Sequence, residues 1–417
     1  MLSQPSAAVV RATLPAVTDA LGEITERFYA GLFAARPDLL RDLFNRGNQA
    51  SGTQRRALAG AFAAFAAHLV EHPDRRPAAL LGRIAHKHAS LGVAPEQYEL
   101  VRHHLFAAIA DVLGDAVTPA VAAAWDEVYR LMADALTAAE RGLYEQGGGA
   151  GRRDWEVAER VTETSDVVSF LLRPADGGPV TPYRAGQYVS VQVELPDGAR
   201  QLRQYSLSGA PDAALRRITV KRVRGGDGTP GGEVSEHLHA RVQAGDVLRL
   251  SEPYGDVVLD ADADTPVLLA SAGIGVTPVV AMLAELAGTG HRAPVTVLHG
   301  DRSPADHALR AEHEAYAAGL PRADVHFFYG RDAGPGARTG RAGLDGVALH
   351  PGTRAYLCGP LPFMRELRDG LIARGVAAAD VRYEVFGPDL WLAGEDAPPA
   401  PASHPGAERS GVAVAAG

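Results

Sequence analysis

The chain has 417 residues, of which 46% are hydrophobic and 22% are charged, and its formal net charge is −9. This composition predicts a globular protein of several domains, at about 100–200 residues each, and the negative charge argues against nucleic acid or an anionic membrane as the main partner. The single cysteine, Cys358, excludes an intramolecular disulfide and fits a reducing cytoplasm.

The N-terminal residues carry no basic leader followed by an apolar run and a cleavage site, which predicts that the chain is not exported. Residues 265–284 contain no charged residue, and about 20 such residues are enough to cross a bilayer. However, Ser271, Gly273, Gly275 and Pro278 divide this segment into a strand, a glycine turn and a helix. We therefore predict no transmembrane segment.

Residues 1–146 show helical spacing and no strand pattern, which predicts an all-α domain of six to eight helices, with prolines near the helix edges. The helical repeats are Leu21, Ile24, Phe28 and Leu32, then residues 57–69, then residues 121–144. The prolines are Pro5, Pro15, Pro37, Pro73, Pro95 and Pro119.

One predicted helix of this domain carries two histidines suited to binding a haem iron. Leu80, Ile84 and Leu91 form an apolar face, and His88 falls on that face because it lies four residues after Ile84 and three before Leu91. A lone buried histidine is more often a core residue than a ligand. Spacing alone leaves His86 and His88 as alternatives.

Glycine-rich residues 147–151 predict a domain boundary, after which the pattern changes to short strands rich in valine and aromatic residues. The predicted strands are 155–160, 167–173, 188–193, 204–208, 218–223 and 247–250. Six short strands in this arrangement predict an antiparallel β-barrel over residues 152–262.

From Pro266 onward, strands alternate with helices, which predicts a doubly wound α/β domain with a parallel sheet over residues 265–388. The predicted strands are 267–271, 295–299, 325–329 and 355–358, and the predicted helices are 279–286, 305–317 and 363–374. The tail, residues 389–417, is rich in Pro, Ala, Gly and Ser and is predicted to be disordered.

A glycine turn follows the first strand of the α/β domain and predicts a pyrophosphate site. Gly273 and Gly275 permit close backbone approach, Thr277 is a candidate helix cap, and Pro278 suits a first helical turn. Amide groups at such a turn bind phosphate, and Ile274 and Val276 belong to the same loop. A short Gly-x-Gly is also found in turns that bind no ligand.

A second turn, Cys358-Gly359-Pro360, ends a later strand. Because the carboxyl ends of parallel strands meet at one edge of a sheet, the two turns are predicted to share one cleft. Cys358 is interpreted as a small residue packed beneath a cofactor, since no neighbouring His or Asp would activate it as a nucleophile.

The barrel strand Arg203-Gln204-Tyr205-Ser206 predicts a flavin site. Arg203 and Tyr205 share one face, where an arginine suits a pyrophosphate and a tyrosine stacks on a flat ring. An exposed arginine on a barrel strand is the alternative. Gly232, Val234 and Ser235 lie in a second candidate phosphate-binding turn.

Residues 155–388 resemble the ferredoxin-reductase-like flavoproteins, because four motifs occur in the order of that family: Arg-x-Tyr-Ser, Gly-x-Val-Ser, Gly-x-Gly-x-Thr-Pro and Cys-Gly-Pro. The closing segment, residues 383–388, resembles the closing segment of that family, in which an aromatic residue covers the flavin ring. The resemblance implies this role for Phe386 and implies cofactor-binding positions at Tyr188, Glu384, Val385, Gly387 and Pro388.

A helical domain fused to such a reductase resembles the flavohaemoglobins over residues 1–388. The resemblance implies that His88, rather than His86, holds the haem iron, with Tyr98 and Glu140 as its partners. It implies Tyr29 and Gln54 as the distal polar residues. It further implies Phe44 and Leu58 against the haem, and Lys87 with Glu384 between haem and flavin. Tyr29, Phe44 and Leu58 would also suit the core of any helical bundle.

The resemblance implies a nitric oxide dioxygenase with haem b, FAD and NADH or NADPH. In this reading NAD(P)H reduces FAD, FAD reduces haem, and haem-bound O2 converts NO to nitrate. The expected partners are thus O2, NO and NAD(P)H, in a cytoplasmic monomer. Asp301 favours NADH, whereas Arg302 would accept a 2′-phosphate; we favour NADH.

Two other functions fit the same sequence. One is an oxygen-binding or gas-sensing globin whose reductase keeps its iron ferrous, and the other is a ferric or flavin reductase with a vestigial haem pocket.

Overall fold

The computed structural model describes residues 1–147, 149, 151–211, 213–226 and 230–388. The predicted disordered tail, residues 389–417, and two glycine-linker positions, 148 and 150, lie outside the described residues. Within the described residues, no helix is both long enough and apolar enough to cross a membrane.

The N-terminal region is a bundle of α-helices, as the helical spacing predicts. Its core includes Phe28, Leu32, Phe65 and Trp125, each at most 2% exposed. The helices are α1 (Gln4–Ala35), α2 (Pro37–Asp42), α3 (Arg46–Ala50), α4 (Thr53–Glu71), α5 (Ala78–Leu91), α6 (Glu96–Leu113) and α7 (Pro119–Gly147).

One expectation for these helices is wrong. Pro15 lies inside the 32-residue helix α1 and not near its edge. Tertiary packing explains this, because Val10 and Val17, on either side of Pro15, are both buried in the bundle core. Burial of these flanking turns offsets the backbone hydrogen bond that a proline removes.

The middle region is a six-stranded antiparallel sheet in the order β4-β3-β6-β1-β2-β5. Alternating residues of its strands face a core that includes Trp155, Phe170 and Leu250. The elements are β1 (Arg152–Thr164), β2 (Val167–Pro174), β3 (Tyr188–Glu194), β4 (Arg200–Ser206), β5 (Arg216–Lys221), α8 (Glu233–Arg241) and β6 (Val247–Ser251).

The C-terminal region is a parallel sheet in the order β10-β9-β8-β7-β11-β12. Strands β7 and β11 are neighbours although they are far apart in sequence. The order in which the chain adds strands to the sheet therefore reverses between them. The elements are β7 (Val267–Ala272), α9 (Val276–Gly288), β8 (Val295–Asp301), α10 (Arg310–Ala318), β9 (Ala323–Tyr329), β10 (Arg338–Thr339), β11 (Arg354–Cys358), α11 (Leu361–Ala373) and β12 (Val381–Glu384). The predicted order of an all-α domain, an antiparallel sheet and a parallel α/β sheet is confirmed.

Helix α5 joins the helical region to both of the others. Its Ser90 hydroxyl accepts a 3.0 Å hydrogen bond from Ser190 of β3. The Arg83 guanidinium donates to the Tyr383 carbonyl oxygen of β12 at 3.0 Å. Lys87 Nζ donates to the Gly387 carbonyl oxygen. The helix that carries His88 is therefore in contact with both β regions.

Candidate functional site

His88 of α5 lies in a compact hydrogen-bonded group with Tyr98 and Glu140. Its Nδ1 is 2.9 Å from Glu140 Oε1 and 2.9 Å from the Tyr98 hydroxyl, which itself donates to the same carboxylate oxygen at 2.5 Å. Glu140 is 2% exposed. A carboxylate on Nδ1 fixes the proton on that nitrogen and leaves Nε2 as the ring's lone-pair donor.

The surrounding helices hold this group in place. Helix α5 ends at Leu91, and its C-cap Gly92 has a φ of 74°, in the left-handed region, so the chain turns directly after the His88 turn. The Tyr129 hydroxyl donates to the Tyr98 carbonyl oxygen at 2.7 Å. Burial and the Glu140 carboxylate raise the pKa of Tyr98, so this hydroxyl remains a proton donor.

His86 is directed elsewhere. Its Nδ1 accepts a 3.0 Å hydrogen bond from the backbone N–H of Gly255, on the loop after β6. His86 thus takes part in the contact between α5 and the antiparallel sheet. Of the two histidines of α5, only His88 has a buried acidic partner on its ring, as metal-binding imidazoles do.

A second polar group surrounds Tyr29 of α1. Burial raises the pKa of its hydroxyl, and interactions of that hydroxyl with Gln54 and Gln49 oppose the shift. Phe44 packs edge-on against the Tyr29 ring, with the ring centroids 5.8 Å apart. Leu58, one helical turn after Gln54 on α4, packs against the core of the bundle. The structure therefore brings the four predicted distal residues to one part of the bundle.

On β4, Arg203 and Tyr205 lie on one face of the strand, and Gln204 and Ser206 on the other. Arg203 is partly buried, which lowers its pKa, and it bonds to the Gln201 side chain at 3.1 Å and the Leu202 carbonyl at 2.7 Å. Among the described residues it forms no ion pair, so its charge is available for an anion. Gln204 donates to the Ser190 hydroxyl at 3.3 Å, and Tyr188 pairs with Ser206 across the two strands.

The second predicted phosphate turn precedes α8. Gly232 is the residue before the helix, and the Ser235 hydroxyl donates back to the Gly232 carbonyl oxygen at 3.0 Å. A Cβ atom at Gly232 would lie 2.7 Å from Ser235 Oγ and 2.9 Å from Val223 Cβ, so this turn excludes a side chain. Val234 is buried beneath it.

The two glycine turns of the α/β sheet meet. Ser271 of β7 pairs with Cys358 of β11, and a Cβ atom at Gly275 would lie 2.1 Å from the Cys358 carbonyl oxygen. At Gly359 a Cβ atom would lie 2.9 Å from Phe363. The turns Gly273–Pro278 and Cys358–Pro360 thus form adjoining walls at the carboxyl edge of the sheet, where such sheets bind ligands.

Thr277 is not the helix cap that the sequence predicts. A 3-10 turn over Gly273–Gly275 precedes α9, which begins at Val276 with Gly275 at its N-cap. Thr277 is therefore inside the helix, where it is 2% exposed and its hydroxyl donates to the Ile274 carbonyl oxygen at 3.0 Å. The glycines start the helical geometry earlier than a threonine cap would.

The closing segment lies between α5 and the parallel sheet. The Arg83 guanidinium is 4.7 Å from the Tyr383 ring centroid, and Glu384 pairs with Cys358 across β11 and β12. Phe386 is 49% exposed, which is unusual for a large apolar side chain. Val385 packs against the core beneath the sheet, and Gly387 and Pro388 end the described chain.

Asp301 and Arg302, at the end of β8, are held by neighbouring residues. The Asp301 carboxylate accepts from the Arg302 backbone N–H at 2.7 Å and lies 3.6 Å from His299 Nε2. The Arg302 side chain pairs with Asp306 at 2.5 Å. Both residues are thus tied within the protein, and neither geometry selects one nicotinamide dinucleotide.

Several features of these sites fit the implied cofactors. The buried Gln49 Nε2 atom has no hydrogen-bond partner within the described part of the chain. Arg203 offers a partly buried cation, Phe386 offers an exposed aromatic face, and Gly232 and Gly275 leave no room for a side chain. The Gln49 amide suits a haem site. Arg203 and Phe386 suit a flavin, and the turns at Gly232 and Gly275 suit the phosphates of a dinucleotide.

Three further residues lie near these sites although no sequence pattern predicts them there. Lys221 Nζ lies 3.8 Å from the position of a Cβ atom at Gly273. Gln49 interacts with the Tyr29 hydroxyl. The fully buried Gln201 donates to the Arg41 carbonyl at 2.8 Å and the Phe44 carbonyl at 3.2 Å. No local sequence signal distinguishes these residues from exposed polar ones.

Comparison with protein families assigns all three regions. The globin model matches residues 26–136, the oxidoreductase FAD-binding domain matches residues 154–258, and the oxidoreductase NAD-binding domain matches residues 269–369. Fold and matches together define a class of protein, an oxidoreductase in which a globin is joined to a FAD- and NAD-binding module.

Curated relatives identify the member of this class. The flavohemoprotein of Rhizobium meliloti is 43% identical over 408 residues, which cover 94% of this chain and 100% of the relative. The flavohemoprotein of Chromobacterium violaceum is 42% identical over 402 residues, covering 93% and 98%. The chain therefore belongs to the flavohemoprotein family, and the predicted resemblance is confirmed.

Solved structures agree with this assignment. A crystal structure of flavohemoglobin from Malassezia yamatoensis, with bound FAD and heme, is 39% identical with a TM-score of 0.85, covering 93% of this chain and 100% of that one. The FAD/NAD-binding domain of a nitric oxide dioxygenase from Vibrio cholerae is 36% identical with a TM-score of 0.54, covering 57% of this chain and 99% of that one.

Proposed function

We propose that this flavohemoprotein is a nitric oxide dioxygenase that uses haem b, FAD and NADH or NADPH. Each nitric oxide combines with one dioxygen and one electron to give nitrate, so one hydride from the nicotinamide serves two turnovers. The observation that carries the proposal is the buried Glu140 carboxylate on His88 Nδ1, because an anionic partner makes a ligating imidazole more electron-donating.

Bound haem would supply one-electron chemistry and an oxygen site, and bound FAD would divide the hydride into single electrons. We propose that His88 Nε2 holds the iron. Flavin binding is assigned to Arg203, Tyr205, Ser206, the Gly232–Ser235 turn and Phe386. The turns Gly273–Pro278 and Cys358–Pro360 are assigned to the nicotinamide dinucleotide.

On the proximal side, Glu140 and Tyr98 are positioning residues. Glu140 accepts the His88 Nδ1 proton, which fixes the orientation of the ring, and the Tyr98 hydroxyl holds the carboxylate in place at 2.5 Å. Because Tyr98 keeps its proton, its hydroxyl remains a hydrogen-bond donor to the Glu140 carboxylate. This arrangement favours oxygen activation over simple storage.

On the distal side, Tyr29 supplies a proton donor. Its raised pKa keeps the hydroxyl protonated, and the hydroxyl also interacts with Gln54 and Gln49. Phe44 and Leu58 line the same region with apolar surface and exclude water. Hydrogen-bond donors in a dry site stabilise developing negative charge on oxygen more strongly than water does.

Helix α5 also accounts for communication between the regions. Ala89, the residue after His88, packs with Tyr188 and Tyr254 of the flavin-binding region. Lys87 and Arg83 join α5 to the closing segment. We propose that these contacts hold the flavin-binding and haem-binding residues close together, with Lys87 and Glu384 between them.

The activity is tested by mixing purified protein with NADH or NADPH, oxygen and nitric oxide, and by measuring nitrate against nicotinamide consumed. We expect nitrate in a ratio of two per nicotinamide, and loss of its formation in His88→Ala. The matched control is His86→Ala, which removes a neighbouring histidine of α5 and is expected to retain haem. A wild-type protein that binds oxygen reversibly but forms no nitrate would instead be an oxygen-binding globin.

The same proposal includes domain limits and cellular setting. We propose a haem domain at residues 1–146, a FAD domain at 152–262 and a nicotinamide domain at 265–388, in a cytoplasmic monomer. The buried Cys358 thiol, whose pKa is raised by burial, supports a reducing compartment because it requires no disulfide partner.

A further inference from the structure

Three histidines meet inside the nicotinamide-binding region, away from the haem and flavin sites. His299 ends the buried part of β8, His307 lies in the following loop, and His313 lies on α10. Their side chains are 0%, 3% and 0% exposed, respectively. One ring nitrogen from each lies within 4.8 Å of the others. Nothing in the proposed haem, flavin and nicotinamide chemistry uses this cluster.

The ring nitrogens of the cluster are incompletely satisfied. His307 Nε2 and His313 Nδ1 share one hydrogen bond at 3.0 Å. The buried His299 Nε2 and His313 Nε2 atoms have no hydrogen-bond partner among the described residues. A buried polar atom without a partner is destabilising, so the free His299 Nε2 indicates that a ligand belongs in the cluster.

The outer nitrogens are held as metal-binding histidines are held. His299 Nδ1 lies 2.8 Å from the Ser271 hydroxyl, and His307 Nδ1 lies 2.8 Å from the Tyr329 hydroxyl. Such bonds fix the ring and direct Nε2 inward. The Asp301 carboxylate, 3.6 Å from His299 Nε2, adds an oxygen ligand of opposite charge at the edge of the cluster.

We propose that His299, His307 and His313, with Asp301 as a fourth ligand, bind a divalent transition metal of the zinc class. Three imidazoles and one carboxylate are a donor set that zinc accepts in tetrahedral geometry.

The distances suit this ion. With Zn–N bonds of about 2.0–2.1 Å, two nitrogens on a tetrahedral zinc lie roughly 3.3 Å apart. His307 Nε2 and His313 Nδ1 are 3.0 Å apart, so a zinc ion would replace the proton they share. His299, whose ring stacks on His307 with centroids 3.8 Å apart, would turn its free Nε2 toward the same point.

A metal here would stabilise the edge of the dinucleotide cleft. It would join β8, the following loop and α10 through one ion, in addition to the hydrogen bond between His307 and His313. Ser271, the partner of His299, is two residues before Gly273 of the dinucleotide turn. We therefore expect metal loss to lower the thermal stability of this region and to raise the KM for the nicotinamide more than it changes kcat.

The test is zinc content in the full-length holoprotein. The protein is produced in zinc-supplemented medium, passed through EDTA and a desalting column, and assayed for zinc and iron by mass spectrometry. We expect about one zinc per iron in the wild type, with X-ray absorption at the zinc edge showing three nitrogens and one oxygen at about 2.0–2.1 Å. Magnesium supplementation should leave no magnesium bound.

His313→Gln is the test variant, and the double variant His103→Gln/His104→Gln is the control, because those two histidines lie on α6 outside the cluster. We expect zinc to be lost in the first and retained in the second. The zinc content and the X-ray absorption spectrum of the wild type test the proposed site even if His313→Gln folds poorly. Fewer than about one zinc per ten irons in the wild type, or zinc with a different ligand set, would overturn the proposal. Nitric oxide turnover is not part of these measurements, so failure here leaves the dioxygenase proposal intact.

Discussion

The Ser190 hydroxyl of β3 donates a 3.0 Å hydrogen bond to the Ser90 hydroxyl of α5, and both residues are at most 1% exposed. Ser90 is two residues after His88, and Gln204 of the Arg-x-Tyr-Ser strand donates to the same Ser190 hydroxyl at 3.3 Å. One buried chain of hydrogen bonds thus connects the flavin-binding strand to the helix that carries the proposed iron ligand. The contact between β3 and α5 is therefore specific, and its two serines are buried.

Ser190→Ala is expected to slow electron transfer from flavin to haem several-fold while leaving hydride transfer from NADH to flavin unchanged. The substitution removes a hydrogen bond worth about 1 kcal/mol and loosens the contact between β3 and α5. Anaerobic stopped-flow absorbance separates the two steps. Ser169→Ala, in a buried serine of the same sheet that bonds to Thr219 at 2.8 Å, is the control and should leave both rates unchanged.

Glu140→Gln is expected to lower nitric oxide turnover by about 10- to 100-fold, the usual effect of losing a metal ligand's hydrogen-bonded partner. The amide retains the shape of the side chain but removes the negative charge from His88 Nδ1. Resonance Raman spectroscopy should show a lower iron–histidine stretching frequency. Glu145→Gln, an exposed residue of the same helix, should match the wild type. An unchanged stretching frequency in Glu140→Gln would show that the carboxylate does not act through His88.

Tyr29→Phe is expected to release oxygen at least about tenfold faster than the wild type, since the loss of one hydrogen bond of about 1.4 kcal/mol gives that ratio. Turnover of nitric oxide should fall with it. The measurement is the oxygen dissociation rate by stopped-flow replacement with carbon monoxide. Tyr316→Phe, on α10, removes a tyrosine hydroxyl far from α1 and should not alter the rate.

The oxygen dissociation rate of the wild type is expected to be independent of pH from 7 to about 10. An exposed tyrosine loses its proton near pH 10. Burial raises the pKa of Tyr29, so its hydroxyl remains a donor above that value. Because the unfolded chain releases this proton first, Tyr29 stabilises the fold less and less as pH rises above 10. A sharp increase in oxygen release below pH 10 that is absent in Tyr29→Phe would contradict the assignment.

Gly275→Ala is expected to raise the KM for the nicotinamide at least about tenfold and to destabilise the α/β region by more than about 2 kcal/mol, because overlap with backbone atoms cannot be relieved by a rotamer change. A Cβ atom there would lie 2.1 Å from the Cys358 carbonyl oxygen. Haem and FAD content should remain normal. Gly288→Ala, at the other end of α9, has no atom within 4 Å of its added Cβ and should behave as wild type.

Much of the fold follows from local patterns. Alternating apolar residues predict all six strands of the antiparallel sheet, and continuous apolar runs predict four strands of the parallel one. The two short edge strands are not predicted. In Val381–Glu384 apolar and charged residues alternate, and Arg338–Thr339 has only two residues. Edge strands depend on pairing with a neighbour, which local sequence does not report.

The candidate site is likewise only partly predictable from local sequence patterns. Motif spacing predicts Arg203 and the two glycine turns, because each requires a particular residue type at a particular place. Spacing leaves His86 and His88 as alternatives, and the resemblance to the flavohaemoglobins selects His88. Gln201 and Ser190 are polar residues on strands, and their sequence neighbours do not reveal that both are fully buried against the helical region. The three-histidine cluster likewise depends on the fold, since β8 and α10 bring together residues that are up to 14 positions apart.

The central claim is that one chain passes electrons from a nicotinamide through flavin to haem iron. It is tested most directly by mixing NADH with the oxidised holoprotein under argon and carbon monoxide, and following the flavin and haem absorbance together. We predict that the yellow flavin band falls first and that the ferrous carbonyl band of haem then appears in full. Complete flavin bleaching with haem that stays ferric would contradict the account.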